Sequence, residues 1–289
     1  MSGSPDGSDA PASPGRPVRL IESAGHATYG VIGAVGRLVR QLGGMGYLLF
    51  DTAACVFRGL VLRTDKFGWS ALAAQMVRVG VKSIPIIVLV QVFIGIILAL
   101  QMAPTLESYG QIGTVANIVA IAMFRELGPL ISAIVLSGFA GASIAAEIGA
   151  MVESEEIKAL RAHALNPIRF LIMPRILATV IMLTGLAVIA DVVGTLGGYL
   201  AGCGVLDISS NVYIENTRIA VTHKDFFTGL VKAGVFGMLI SLIACYEGIH
   251  VTGGAVGVGR ATTATVVRSI VALIATDCLF TVFFYLYGV

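Results

Sequence analysis

Five long apolar runs restrict what this chain can fold into. A helix needs roughly 20 consecutive apolar residues to cross the ~30 Å hydrocarbon core of a bilayer. Runs of this kind lie at Ser83–Met102, Leu127–Ala146, Ile176–Leu206, Phe226–Tyr246 and Ser269–Val289. Only 12% of the residues are charged, against about 25% in soluble domains. The sequence therefore predicts an all-α integral membrane protein with five transmembrane helices.

The N-terminal part of the chain has a different composition. Residues 1–17 are rich in Gly, Ser, Pro and Asp and hold almost no bulky apolar side chain, so we expect a disordered tail. Residues 18–82 are apolar but contain basic residues throughout. Within them, charges interrupt Tyr29–Phe57, which favours an N-terminal amphipathic helix in the membrane interface, with a soluble helical hairpin as the alternative. The five-span domain is predicted to occupy residues 83–289.

Basic residues in the connections predict how the chain is oriented, because cytoplasmic loops are enriched in Lys and Arg. The connection Ala103–Asn117 has neither. The connections after the second and fourth spans contain Lys158, Arg161, Arg169, Arg175, Arg260 and Arg268. We therefore expect a cytoplasmic N-terminus and a C-terminus on the outer side. The net charge of +2 is too small to indicate a nucleic-acid partner.

Small residues recur every four positions in two of the predicted spans. They allow helix backbones to approach closely in lipid, where apolar side chains alone give little drive to associate. The two stripes are Ala133, Ser137, Gly141, Ala145 and Gly149 in the second span, and Ala190, Gly194, Gly198 and Gly202 in the third. Their predicted role is close helix packing.

Ionisable residues within the spans are the first candidates for function, since burying them in a membrane is costly. Arg125 and Glu126 directly precede Gly128–Pro129, where the sequence predicts a helix break and a cavity wall. The alternative is that the two side chains pair with neighbouring helices and stabilise the fold. For Asp191 and Asp277, a structural hydrogen bond to another helix is favoured over a proton relay.

A short amphipathic helix is predicted between the second and third spans, over Glu153–Leu165. Ser154 is the expected N-cap, and Asn166–Pro167 ends the helix. One face carries the apolar residues Ile157, Leu160, Ala164 and Leu165. Such a helix on the cytoplasmic side is suited to dock into a groove on a partner protein. Alternatively, it lies back on the helical bundle.

The sequence offers no catalytic or metal-binding motif. The four cysteines are far apart and fall in apolar runs, which indicates buried free thiols rather than a metal site. The glycine-rich stretch Gly253–Thr263 lacks the Gly-Lys-Ser/Thr of a P-loop and follows a spanning helix rather than a strand. We therefore expect neither enzymatic activity nor a bound cofactor or metal.

Several short motifs resemble the MlaE-type permeases, also called YrbE, of MCE-associated ABC lipid transporters. They occur in the order and spacing typical of that family, and the resemblance extends over about residues 36–288. The motifs are Arg125–Pro129 (RELGP), Ala145–Met151 (AAEIGAM), Glu156–Leu160 (EIKAL), Asn166–Arg169 (NPIR), Pro174–Arg175 and Gly257–Thr263 (GVGRATT). One position departs from the pattern: Phe139 stands where the family often has an arginine.

The resemblance implies a homodimeric permease of the bacterial inner membrane that moves lipid, commonly phospholipid, between the inner and outer membranes. The implied partners are a cytoplasmic ABC ATPase that binds ATP, a periplasmic MCE-domain protein and a second copy of the chain. The implied lipid cavity is lined by Leu98, Leu106, Tyr109, Arg125 and Leu127. The implied ATPase-coupling residues are Glu153, Glu156, Ile157, Leu160 and Arg161.

Two other functions are compatible with a polytopic chain. An ion- or proton-coupled secondary transporter could use Asp191 and Asp277, but the chain lacks the internal inverted repeat that this class commonly shows. A membrane scaffold or enzyme is the third hypothesis, and the chain has no active-site constellation to favour it. Neither alternative accounts for the predicted cytoplasmic docking helix.

Overall fold

The computed structural model describes residues 36, 40, 41, 43–57 and 69–287. The chain divides into two compact units, Met1–Tyr47 and Leu48–Val289, and residues 69–287, which contain the candidate site, lie in the second unit. The predicted disordered tail, residues 1–17, lies outside the described residues. Part of the predicted interfacial region, residues 18–82, also lies outside the described residues, and within it residues 43–57 and Trp69–Val79 are helical.

The described part of the chain is helical and contains no β-strand. Short 3₁₀ or π turns join several of the α-helical segments into longer helices. The α-helices are α1 (residues 43–57), α2 (Trp69–Val79), α3 (Ile84–Ser108), α4 (Val115–Ala122), α5 (Gly128–Leu136), α6 (Ala142–Glu153), α7 (Glu156–Ala162), α8 (Met173–Gly204), α9 (Ser210–Ala220), α10 (His223–Ile249) and α11 (Gly254–Tyr287).

Five of the resulting helices are long and apolar enough to cross a membrane, which confirms the predicted fold class. Numbered spans 1 to 5 within the described residues, they are Trp69–Ser108, Ile112–Glu153, Ile168–Gly204, His223–Ile249 and Gly254–Tyr287. Spans 1, 2 and 4 extend beyond both ends of the apolar runs from which the sequence predicted them, and spans 3 and 5 begin before their runs. Polar and charged residues continue the helices because their side chains are paired or exposed at the ends.

Span 3 packs closely against spans 1 and 4. A Cβ atom built on Gly95 of span 1 would lie 1.9 Å from the carbonyl oxygen of Gly194, and one on Gly197 would lie 2.3 Å from the carbonyl oxygen of Val92. These backbone contacts leave no room for a side chain. The small residues of span 3 therefore set how closely the helices pack, as the sequence predicted.

The stripe of small residues in span 2 has the same role toward spans 4 and 5. All five of its residues are buried. A Cβ on Gly141 would lie 3.2 Å from Cγ2 of Ile240, and one on Gly149 would lie 2.8 Å from Cγ2 of Val251. Around these contacts, Leu136, Ile148, Leu183, Phe236 and Ile240 form part of the main apolar core.

Two glycines make the turn between spans 4 and 5. Gly253 and Gly254 have φ angles of 95° and 67°, a left-handed conformation that side chains disfavour. Span 5 begins at Gly254 and continues through the glycine-rich stretch. The glycines of this stretch therefore belong to a turn and a helix start.

Candidate functional site

A wide helical turn interrupts span 2 at the predicted functional motif. Met123–Leu127 forms one π turn, in which the N–H of Gly128 donates to the carbonyl oxygen of Met123. The predicted helix break at Gly128–Pro129 was wrong, since Gly128 has helical angles (φ −58°, ψ −59°) and the helix continues. Pro129 is tolerated within the continuous helix because it closely follows the π turn, whose wider hydrogen-bond spacing accommodates the missing N–H. π turns are often found at functional sites.

The side chain of Glu126 points from this π turn toward spans 4 and 5, where it is part of a buried ionic network. The side chain of Lys232 on span 4 is 0% exposed and donates to Glu126 and, at 3.0 Å, to Oδ1 of Asp277 on span 5. Thr281 donates to Oε1 of Glu126 at 3.3 Å. The network ties three spans together by charge-assisted hydrogen bonds. Asp277 thus makes the interhelical contact that the sequence predicted for it.

Arg125 points to the start of span 4. Its Nε donates to Oδ1 of Asp225 at 2.9 Å, and its Nη2 contacts the same oxygen. The other oxygen of Asp225 accepts from the N–H of Thr222 at 3.0 Å, which caps α10. The side chain of Asp225 is 4% exposed, whereas that of Arg125 is 45% exposed. The guanidinium therefore has N–H groups left that can bind another anion.

Three of the five residues implied for a lipid cavity meet in one apolar cluster. Leu98, Leu106 and Leu127 pack around a second core formed by spans 1 to 3 and α9. Tyr109, just after span 1, is 74% exposed. Arg125 lies in the same π turn as Leu127, but its side chain extends to Asp225. The structure thus places an apolar cluster and a partly exposed cation on either side of one helical turn.

Asp191 is buried against this turn without the contact expected for it. The residue is 1% exposed, and a Cβ atom on Gly128 would lie 1.8 Å from its Oδ1. That oxygen accepts no hydrogen bond from any described residue, so the predicted hydrogen bond to another helix is not formed there. Gln91 on span 1 contacts the same region, with Nε2 3.3 Å from the Gly128 carbonyl and from Ser132 Oγ.

The predicted docking helix is shorter than expected and starts differently. Helix α7 covers Glu156–Ala162, and the residue before it is Glu155, in a left-handed conformation with φ of 60°. The predicted capping by Ser154 was wrong, because Ser154 ends α6 and its hydroxyl donates to the Glu156 carboxylate at 3.2 Å. The Glu155 pKa is lowered by the hydrogen bond and the charge of Lys158.

The side chains of α7 divide between the bundle and the surface. Ile157 is buried in the main apolar core, and Leu160 is half-buried. Glu156 and Arg161 are exposed, as is Glu153 at the end of α6. The helix is therefore anchored on the bundle by Ile157 and presents charged groups outward, and its docking to a partner stays a prediction.

A second ionic cluster lies near the α7 end of spans 1 to 3. Glu147 accepts from Arg78 at 2.6 Å and from Arg175 at 3.2 Å, and from the hydroxyl of Ser143 at 3.1 Å. Arg175 is 4% exposed. Sequence reasoning missed this cluster because the predicted second span stopped at Ala146, which left Glu147 outside the membrane region.

Sequence reasoning also missed the partners of Arg125 and Glu126. Asp225 and Lys232 lie about 100 residues farther along the chain, at separations of 100 and 106. The available signal was charge balance, since Lys232 is the basic residue of one predicted span, Asp277 lies in another and Glu126 directly precedes a third. Opposite charges buried in a membrane are expected to pair.

Comparisons with known proteins agree with these features. The profile of the family described as "Permease MlaE" matches residues 72–283. A "Probable ABC transporter permease protein" of Rickettsia bellii is 38% identical over 86% of this chain and 94% of its own length. A protein of the same description from Rickettsia felis is 38% identical over 75% of the chain and 83% of its own. The chloroplastic protein TRIGALACTOSYLDIACYLGLYCEROL 1 of Arabidopsis thaliana is 34% identical over 76% and 63%.

Proposed function

The chain belongs to the MlaE permease family and is an ABC transporter permease, and we propose that its cargo is a lipid, most simply a phospholipid. In this proposal the lipid moves between the inner and outer membranes. The Arabidopsis relative carries the name of a galactolipid, which supports a lipid cargo. The chain has the role of a transporter subunit rather than an enzyme, and a separate cytoplasmic ATPase supplies the energy.

The observation that carries this proposal is the position of Arg125. Its guanidinium is partly exposed at a π turn whose other side joins the apolar cluster containing Leu98, Leu106 and Leu127. A cation beside an apolar surface matches an anionic amphiphile, which has a charged headgroup and apolar tails. We propose that these residues, with Tyr109, line the lipid cavity. A second copy of the chain completes the cavity, and a periplasmic MCE-domain protein receives or delivers the lipid.

Helix α7 is the proposed contact with the ATPase. Glu153, Glu156 and Arg161 are exposed for polar contacts, and Leu160 is available at the edge of the helix. Ile157 is fixed in the bundle core, so a displacement of α7 would be passed to span 2. In this arrangement the inner membrane holds the protein with its N-terminus in the cytoplasm and its C-terminus in the periplasm.

The ionic network argues for this function over ion-coupled transport. A secondary transporter would use Asp191 and Asp277 as ion or proton sites, but Asp277 is bonded to Lys232, whose ammonium already serves as its counter-ion, so that only Asp191 would be left for this role. The same ammonium holds Glu126. We therefore assign Glu126 and Asp277 a structural role, in which they keep spans 2, 4 and 5 in place beside Arg125.

The lipid role of Arg125 is tested by measuring lipid retained on the purified protein. Replacing Arg125 by Ala alone would leave the buried carboxylate of Asp225 unpaired, so the test variant is Arg125→Ala combined with Asp225→Asn. A charge-assisted hydrogen bond contributes about 1.5 to 3 kcal/mol, or roughly tenfold to a hundredfold in affinity. We expect anionic lipid, quantified by mass spectrometry, to fall by that factor while the protein stays folded.

The control for this test is Asp225→Asn alone, which keeps the guanidinium and frees it from its partner. This variant should retain at least as much anionic lipid as the unmodified protein. Arg125→Lys should retain an intermediate amount, because an ammonium cannot make the bidentate contact with phosphate. A folded double variant that retains lipid at the unmodified level would refute the assignment.

A further inference from the structure

A small pocket with charged walls lies between α2 and the second half of span 2, at the α7 end of the bundle. Its volume is about 130 Å³, below the ~300 to 1,000 Å³ of pockets that enclose a drug-sized ligand. Arg78 and Lys82 line it on one side, and Phe139, Ser143 and Glu147 of span 2 line it on the other. The pocket therefore has room for a charged headgroup but not for a whole lipid, and it shares no residue with the proposed lipid cavity.

Positive charge exceeds negative charge in this pocket. Lys82 is exposed and forms no ion pair or hydrogen bond within residues 69–287. The side chain of Arg78 is 52% exposed and uses Nη1 for Glu147, at 2.6 Å, so its other N–H groups remain available as donors. Glu147 is also bonded to the buried Arg175, at 3.2 Å, which balances its charge without Lys82. The pocket is therefore suited to bind an anion through charge-assisted hydrogen bonds.

An exposed apolar stripe starts one helical turn after Lys82 and follows span 1. Its residues recur every three or four positions, so they lie on the same side of the helix as Lys82. They are Ile86, Leu89, Phe93 and Ile97, and each is between 45% and 59% exposed. A pair of cations at the start of an apolar stripe matches an anionic lipid, because a free anion has no apolar part to cover the stripe.

We propose that this pocket binds the phosphate headgroup of one anionic phospholipid. Lys82 and Arg78 contact the phosphate, and an acyl chain lies along the apolar stripe of span 1. The lipid fills the space beside α2, which packs on span 3, and so holds α2 against span 2. It is distinct from the cargo at Arg125, which lies in the first π turn of span 2, whereas Phe139 of the pocket lies in the second. With the proposed orientation of the chain, this lipid belongs to the cytoplasmic leaflet.

Photolabelling of the full-length protein in lipid nanodiscs tests this site. The probe is phosphatidylglycerol with a photoreactive acyl chain, compared with phosphatidylcholine that carries the same chain. Phosphatidylcholine also has a phosphate, but its ammonium group adds a positive charge beside Lys82. We expect the label on peptides covering residues 86–97 to be stronger for phosphatidylglycerol. The label on span 5 around Val271 and Ile274, which are 63% and 54% exposed, is the reference for lipid that surrounds the protein without preference.

Lys82→Gln removes one charge from the pocket and should lower the phosphatidylglycerol labelling of span 1 about fivefold. Because Lys82 is exposed and unpaired within residues 69–287, the unfolding temperature should not change. Adding Arg78→Gln should lower the labelling about twentyfold in total, and Glu147 keeps Arg175 as its partner. Lys224→Gln is the matched control, since it removes an exposed lysine at the start of span 4, outside the pocket, and should leave the labelling unchanged.

Inorganic phosphate at millimolar concentration should not compete, because it lacks the acyl chain. Competition by phosphate would assign the pocket to a free anion, and chemical crosslinks from residues 86–97 to a second copy of the chain would assign the stripe to an interface. Either result would overturn the proposal, as would equal labelling of span 1 by both lipids or unchanged labelling of Lys82→Gln. The outcome is separable from that of the proposed function, because Arg125→Ala/Asp225→Asn should keep the label on span 1, whereas Lys82→Gln should keep the cargo lipid.

Discussion

Replacing Lys232 by Met should destabilise the protein strongly, because it removes the cation that is bonded to both Glu126 and Asp277. The methionine keeps the length of the side chain but leaves two carboxylates facing each other, one 30% and the other 15% exposed. Breaking a buried ion pair by removing one partner costs about 3 to 5 kcal/mol. At about 2 to 4 °C per kcal/mol for a chain of this size, Tm should fall by roughly 10 °C.

The assay is thermal unfolding in one detergent, followed by the loss of the monodisperse peak on size-exclusion chromatography. Lys232→Met/Asp277→Asn is the compensated variant, since it removes one carboxylate with the cation and should recover much of the lost Tm. Lys232→Arg keeps the charge and should fall in between. If Lys232→Met unfolded at the same temperature as the unmodified protein, the network would not be holding spans 2, 4 and 5 together, and the structural role assigned to it would be wrong.

Two further substitutions test the packing and the ATPase contact. Gly95→Ala places a Cβ 1.9 Å from the Gly194 carbonyl oxygen and should lower the free energy of unfolding by about 1 to 3 kcal/mol. The control Gly185→Ala, whose added Cβ has nothing within 4 Å, should be neutral or stabilising by up to about 1 kcal/mol. Equal unfolding temperatures of the two variants would contradict the close crossing of spans 1 and 3. Leu160→Asp puts a charge into the proposed apolar contact and should abolish co-purification of the ATPase. Ala159→Asp, at the exposed neighbouring position, should leave co-purification unchanged. If the ATPase still co-purified with the Leu160→Asp variant, α7 would not be part of the interface.

The number and type of the spans could be predicted because apolar run length alone decides whether a helix crosses a bilayer. The ends of the spans could not. Span 2 begins at Ile112 rather than at Leu127, because Arg125 and Glu126 are neutralised by Asp225 and Lys232, which lie about 100 residues farther along the chain. The same lack of long-range information explains why Glu147 was overlooked.

Backbone detail was predicted less well than side-chain type. The Gly128–Pro129 pair suggested a helix break. The helix stays continuous, because the π turn before this pair accommodates the backbone hydrogen bond that Pro129 cannot donate. Ser154 is of a residue type that is common at N-caps, yet Glu155, in a left-handed conformation, separates it from α7. The small-residue stripes were predicted correctly because a four-residue repeat of Gly, Ala and Ser has few other uses in a spanning helix.

The central claim is that this permease moves lipid when a separate ATPase hydrolyses ATP. The most direct measurement is transfer of an isotopically labelled phospholipid by the permease, reconstituted in liposomes with its co-purified ATPase, to acceptor vesicles. The account predicts transfer that requires ATP, is lost in Leu160→Asp, and is reduced about tenfold or more in Arg125→Ala/Asp225→Asn. Transfer that is independent of ATP, or that continues unchanged in both variants, would contradict it.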